Sequence, residues 1–169
     1  MDLVFGHDTD IAAWVAARID WVRNPTGFGA CRAVGIMAQG QLIAGVVYHN
    51  FFVDAEGRPA NVEMSIAATS PKWCTRGNLR ALLHIPFEQY KVRRISVMTP
   101  EDQEERVMRV PRWLGFKREA VLVEIFGPGR PAVLYRLTRR QYENGAKLRL
   151  AEGRDRKHGQ RRAIAPAGS

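Results

Sequence analysis

The sequence predicts an α+β domain, a mixed and mostly antiparallel central sheet flanked by helices, and three observations carry that prediction. An antiparallel meander fills much of the first half, from "CRAVGIMAQGQLIAGVVYHNFF" to "NVEMSIAAT", with turn signals at Gln39-Gly40 and in "VDAEGRPA". Helical patterns then alternate with strand patterns, so the later connections are crossovers rather than tight hairpins. At 169 residues the chain is about the size of one domain and long enough to bury a core. The element order reads β-α-β-β-β-α-β-α-β-β.

Each element has a local cause. "DLVF" is a short strand, and Ile11, Trp14, Val15 and Ile19 then recur at the helical period, with Asp8, Thr9 or Asp10 available as the N-cap. "NPTGFG" ends that helix, and two apolar runs joined at Gln39-Gly40 form a hairpin. In "NVEMSIAAT" Val62, Met64 and Ile66 alternate with Glu63 and Ser65, which makes a third strand. Ser70 or Thr75 starts the next helix, whose apolar stripe is Leu79, Leu82 and Leu83, and Pro86 kinks or restarts it. "RRISVMT" is a strand and "PEDQEERVMRV" a charged helix opened by Pro100. "FKREAVLVEIF" and "PAVLYRLT" close the sheet around the turn "GPGR".

Composition narrows the function classes. No apolar run approaches the roughly 18 residues of a membrane span, so no membrane partner is expected. Asp2, Asp8 and Asp10 stand where an export signal needs positive charge. Cys31 and Cys74, the only cysteines, read as reduced thiols, and the expected location is cytoplasmic. His7, His49, His84 and His158 have no metal-binding spacing, so no metal is expected. The formal charge is +9, and residues 144–169 hold seven Lys or Arg against two Asp or Glu, a net +5. The expected organisation is a domain over 1–143 and a basic, disordered tail over 144–169. Such a tail is a solubilising extension, or a handle for nucleic acid or another polyanion through counterion release.

The stretch "SPKWCTRGNLRALL" places Lys72, Thr75, Arg76 and Gly77 at the start of a helix. Unpaired N–H groups and the helix dipole favour an anion there, although on these residues alone an ordinary Thr75 cap is the commoner case. Ahead of it, Glu63 interrupts an apolar alternation. Centring the preceding loop near Glu56-Gly57 sets Asn50 opposite Glu63 and Tyr48 opposite Ser65, which would gather four polar side chains on one face; a one-residue slip would remove Tyr48 and Asn50. In that register His49 points to the other face. A solvent-facing or ion-paired Glu63 is the simpler alternative. Trp14, Trp21, Trp73 and Trp113 read as packing residues, Trp73 alone being placed to flank a bound adenine, and Cys74 reads as a bystander thiol.

The element order, the strand "NVEMSIA" just ahead of that loop and "RWLGF" at Arg112–Phe116 resemble the GNAT superfamily of acyl-CoA N-acyltransferases over about residues 1–140. The resemblance implies acetyl-CoA as co-substrate and acetyl transfer to a primary amine by direct attack. Lys72, Trp73, Thr75, Arg76, Gly77 and Asn78 would then lie at the coenzyme pyrophosphate, and the backbone of Ile66, Ala67, Ala68 and Thr69 along the pantetheine arm. Glu63 would be the base, with Ser65 and Tyr48 beside it. The chain departs from the family pattern in having one loop glycine, Gly77. Glu104 stands near a common asparagine position and Val110 near a common tyrosine acid. These departures keep two other readings open: a GNAT-like module without catalysis, and a nucleic-acid-directed binder or modifier.

Overall fold

A computed structural model describes residues 1–19 and 27–151. Seven strands form one sheet: β1 Asp2–Val4, β2 Arg32–Ala38, β3 Gln41–Val53, β4 Pro59–Ala68, β5 Arg94–Pro100, β6 Lys117–Leu122 and β7 Ala132–Thr138. Their spatial order is β1-β2-β3-β4-β5-β7-β6. Only β4 and β5 run parallel. This is the α+β class and the strand-helix order read from the sequence.

Helix α1, Asp8–Ala16, covers one face of the sheet. The opposite face packs against α2 (Arg76–His84), α3 (Glu104–Val107) and α4 (Arg109–Leu114), and against the C-terminal helices α5 (Arg139–Gln141) and α6 (Lys147–Ala151). Gly35 and Gly45, directly opposite each other on β2 and β3, make the seat for α1. A Cβ on Gly45 would stand 2.5 Å from Val15 Cγ2, so the helix lies closer than a side chain would allow. Asp8 does not cap α1. Its Oδ1 accepts the Ala33 N–H at 2.7 Å, tying the helix to β2, and the cap position falls to His7.

Both cap candidates for the central helix are used. The Ser70 hydroxyl accepts the Lys72 N–H over a short 3-10 turn, Pro71–Trp73, and the Thr75 hydroxyl accepts the Asn78 N–H at the start of α2. Pro86 neither stops nor sharply breaks the chain; a π-helical turn, Ile85–Gln89, continues from α2. Proline has no N–H for the Leu82 carbonyl four residues back, and the buried Tyr48 hydroxyl donates to that carbonyl at 2.7 Å.

The charged helix is divided. Met108, buried in the core, separates α3 from α4, and Pro111 cannot donate to the Val107 carbonyl at that junction. At the C-terminus the folded domain passes the expected boundary at residue 143. Tyr142, Ala146 and Leu150, four apart, are all buried, and Tyr142 stacks on Phe87 at 4.5 Å. Arg76 and Arg80 of α2 donate to the carbonyls of Arg149 and Leu150. The expectation of a disordered basic tail now concerns residues 152–169, which lie outside the described residues, as does Trp21. Among the described residues no helix is long and apolar enough to cross a membrane.

Candidate active site

Strands β4 and β5 separate where the polar residues gather. They pair over three positions only, Asn61–Arg94, Val62–Ile95 and Glu63–Ser96. Beyond these, β4 continues to Ala68 paired with β3, and β5 continues to Pro100 paired with β7. A wedge therefore opens between the strands just past Glu63. The Thr69 N–H donates to Ile43 on the β3 side at 2.9 Å. Strand alternation then turns the N–H and C=O groups of Met64, Ile66 and Ala68 into the wedge, and those of Ala67 toward β3. Of the four residues named for a pantetheine arm, Ile66 and Ala68 thus have the right backbone orientation, and Ala67 and Thr69 do not.

The register of β3 and β4 differs by one residue from the sequence expectation. Glu63 is opposite His49, Met64 opposite Tyr48 and Ser65 opposite Val47. Tyr48 accordingly points to the α2 face, where its hydroxyl is used by Leu82, and it does not join the site. His49 takes its place, correcting the expectation that it points away. Asn50 returns by another route: the ladder carries a bulge between His49 and Phe52, and Asn50 adopts φ +49°. An extra residue at such a bulge re-aims its side chain, and the Asn50 Nδ2 donates to Glu63 Oε2 at 3.0 Å. A second, opposite irregularity between Phe52 and Val53 offsets the bulge, so Val53 pairs with Pro59 and the loop centres on Glu56, half a residue before the expected Glu56-Gly57.

The resulting cluster is compact. His49 Nε2 lies 2.9 Å from Ser65 Oγ and 3.9 Å from Glu63 Oε1. His49 is 6% exposed, and Phe28 covers it with ring centroids 4.7 Å apart. Burial lowers the His49 pKa below the ordinary histidine value, with the Glu63 carboxylate and Asn50 pulling the other way. The imidazole is therefore neutral at neutral pH, able to accept or relay a proton. On the far side of Glu63, Asn61 donates to Ser96 Oγ at 3.0 Å. The site thus holds one carboxylate, one imidazole and four hydroxyl or amide groups, those of Asn50, Asn61, Ser65 and Ser96, at the closed end of the wedge.

The helix start expected to receive an anion, that of the nine-residue α2, lies at the open end. Thr75 takes the Asn78 N–H, and the first-turn N–H groups of Arg76 and Gly77 have no carbonyl within the helix. A Cβ on Gly77 would meet nothing nearer than the Thr75 hydroxyl at 3.9 Å, so packing does not demand glycine there, and its surface is open to a ligand. Asn78 braces the loop by donating to the Trp73 carbonyl at 2.7 Å. Trp73 packs partly buried against the core, and Lys72 is exposed. The Arg76 guanidinium turns toward α6, donating to Arg149 O at 2.9 Å and lying 5.9 Å from the Trp113 ring centre. Burial pushes the Cys74 thiol above its ordinary pKa, with Arg109 opposing, so it is not an activated nucleophile. Among the described residues no group of three or more His, Cys, Asp or Glu side chains could hold a metal ion.

Glu104 and Val110, at the two departures from the family pattern, have structural employment. The Glu104 carboxylate accepts from the Tyr135 hydroxyl and pairs with Arg112 at 3.1 Å and Arg118 at 3.3 Å. Val110 packs partly buried against the core. Tyr135 stands on β7 opposite Val97, the first β5 residue past the parallel pairing, but burial and Glu104 raise its pKa and hold its proton.

No family model matches the chain, and no curated protein matches it in sequence. Solved structures do. Mutant forms of the spermidine/spermine N-acetyltransferase SpeG from Vibrio cholerae align over 85% of this chain and 97% of theirs, at 18% identity and TM-score 0.62. A chimera of SpeG from Vibrio cholerae and hSSAT aligns over 84% and 99%, at 15% identity and TM-score 0.64. A protein named as a probable acetyltransferase aligns over 67% of this chain, which spans 63% of that protein's length, at 21% identity and TM-score 0.55. Topology and these alignments agree, and the chain has the GNAT fold that these acetyltransferases share.

Proposed function

We propose that the protein transfers the acetyl group of acetyl-CoA to a primary amine by direct attack. One observation carries the reading: the wedge between β4 and β5 closes on the Glu63–His49–Ser65 cluster and opens toward the N-terminus of α2. A thioester arm laid in the wedge would meet the inward N–H groups of Ile66 and Ala68, which suit a developing oxyanion. Its pyrophosphate would meet the N–H groups of Arg76 and Gly77, with Lys72 and Thr75 at the rim.

In this reaction the nitrogen lone pair forms a bond to the thioester carbon, and collapse of the tetrahedral adduct breaks the carbon–sulfur bond. The nitrogen loses a proton, which Glu63 takes, with Asn50 fixing one carboxylate oxygen and His49 adjoining the other. The departing thiolate is protonated by solvent, because the Tyr135 proton is committed to Glu104. The test uses the full chain. Coenzyme A at millimolar concentration should raise the melting temperature, since a ligand of the native state stabilises by mass action. Incubation with acetyl-CoA and amines should yield free thiol and acetylated amine. An unchanged melting curve together with no amine-dependent thiol release would remove the reading and leave a non-catalytic GNAT-like module.

A further inference from the structure

The strand that supplies His49 and Asn50 also leaves an aromatic pair in water. Phe51 is 46% exposed and Phe52 64%. The bulge that re-aims Asn50 explains their directions. Three steps along β3, from His49 to Phe52, answer two along β4, from Glu63 to Asn61, so Phe52 comes into register with Asn61 on the face that carries Glu63. Phe51 sets its ring edge-on to Tyr90, with centroids 5.4 Å apart. It also lines, with Phe28, Gly29, Ala30 and Asn50, an open depression of about 410 Å³. Phe28 in turn covers His49. The polar centre Asn50–Glu63–His49 is thus bordered by Phe28, which covers His49, and by Phe52 on the Glu63 face, while the Phe51 ring packs on Tyr90 at the opposite face of the sheet.

Exposed aromatic side chains are an unrealised source of binding. Covering a large apolar side chain with apolar ligand surface is favourable. A base flanked by such surface selects an amine whose body is apolar. The charges around the site argue the same way. A polycation needs carboxylates that are not already satisfied, and among the described residues Glu119 and Asp54 are satisfied. Glu119 is bridged by Arg94 at 3.1 and 2.5 Å and by Arg136 at 3.2 Å. Asp54, just past Phe52 and Val53, is bridged by Arg58 and Arg93 at 2.9 Å each. A second ammonium group on the acceptor would have to displace a guanidinium or lie against one.

We propose that the acceptor is a primary amine with an apolar aryl or alkyl body, seated between Phe52 and Phe28, and not a polyamine. This rests on the acetyl-transfer reading and names its second substrate class. The test compares 2-phenylethylamine, ethylamine and spermidine with the full-length protein and its Phe52→Ala and Phe52→Leu variants. It measures thiol release with acetyl-CoA and, separately, amine binding by calorimetry. The wild type should show kcat/KM for 2-phenylethylamine at least tenfold above that for ethylamine and for spermidine. Phe52→Ala should raise the KM for 2-phenylethylamine about tenfold with kcat and the ethylamine reaction little changed, and Phe52→Leu should lie between. Spermidine as the preferred acceptor, or a KM for 2-phenylethylamine indifferent to Phe52→Ala, would overturn the proposal. Calorimetry separates the two readings: 2-phenylethylamine that binds, is weakened by Phe52→Ala and is never acetylated upholds the apolar subsite and removes the transferase reading alone. An arylamine that neither binds nor reacts overturns the subsite.

Discussion

One face of the β3–β4 pair changes character along its length. Under α1 it presents Gly45, Val47 and Ala67, small or apolar residues in close contact with Ile11 and Val15. Further along it presents His49, Glu63 and Ser65, polar groups that no helix covers among the described residues. The first stretch is built for close approach and leaves no space for a ligand. The second keeps donors and acceptors that satisfy one another at 2.9 to 3.9 Å while remaining next to the wedge. Stability and chemistry are therefore assigned to adjacent parts of one surface, and substitutions in the two parts should separate in their effects.

The largest separation is expected at Glu63. Glu63→Gln keeps the shape and the Asn50 contact on one side but removes the base. Turnover should fall by roughly a hundredfold or more, the lower range for a positioned acid or base, with coenzyme affinity little changed. The defect should shrink at high pH, where the amine arrives neutral. Steady-state rates across pH check this, and wild-type turnover at neutral pH on an acceptor that the wild type acetylates would break the assignment.

Gly45→Ala makes the converse case. The added methyl meets Val15 Cγ2 at 2.5 Å and Ile11 Cγ2 at 3.1 Å, so α1 must shift or the strand must bend. A loss of about 1–3 kcal/mol is the usual cost of overpacking. Chemical denaturation should show it as a lower midpoint. A midpoint equal to the wild type's would mean that α1 is not held tightly on its glycine seat.

The smallest effect concerns His49 and pH. Its native pKa lies below the unfolded value of about 6.5, so below that pH the unfolded chain takes up a proton that the native state resists. The contribution is complete above the unfolded value and is lost as pH falls through the native one. His49→Gln should therefore flatten the stability profile between pH 7 and the acid side, while leaving the alkaline side alone. Denaturation midpoints measured from pH 5 to 8 check it, and an unchanged acid slope would place the titration elsewhere.

Much of the fold was legible because it depends on near neighbours in the chain. The Gln39-Gly40 turn has φ of +51° and +74°, a conformation those residue types accept. Ser70 and Thr75 cap their turns as their side chains allow, and the alternation of β4 places Val62 and Met64 in the core. The α6 helix was also written in the chain, as the spacing of Tyr142, Ala146 and Leu150, but the high charge of the segment masked it. The candidate site was half legible: the alternation of β4 puts Glu63 and Ser65 on one face and Asn50 meets them there, whereas register alone turns Tyr48 away and brings His49 in.

By itself the sequence determined the α+β class, the order of elements and the capped start of the central helix at Thr75, since caps, turns and periodicity act over a few residues. Tertiary structure alone decided which polar residues meet. A one-residue change of strand register exchanges the faces of Tyr48 and His49, and that register is set by the whole β3–β4 ladder, with its bulge at Asn50. The parting of β4 from β5 after Glu63 is likewise a relation between distant segments, because it depends on each strand keeping its outer partner, β3 for one and β7 for the other.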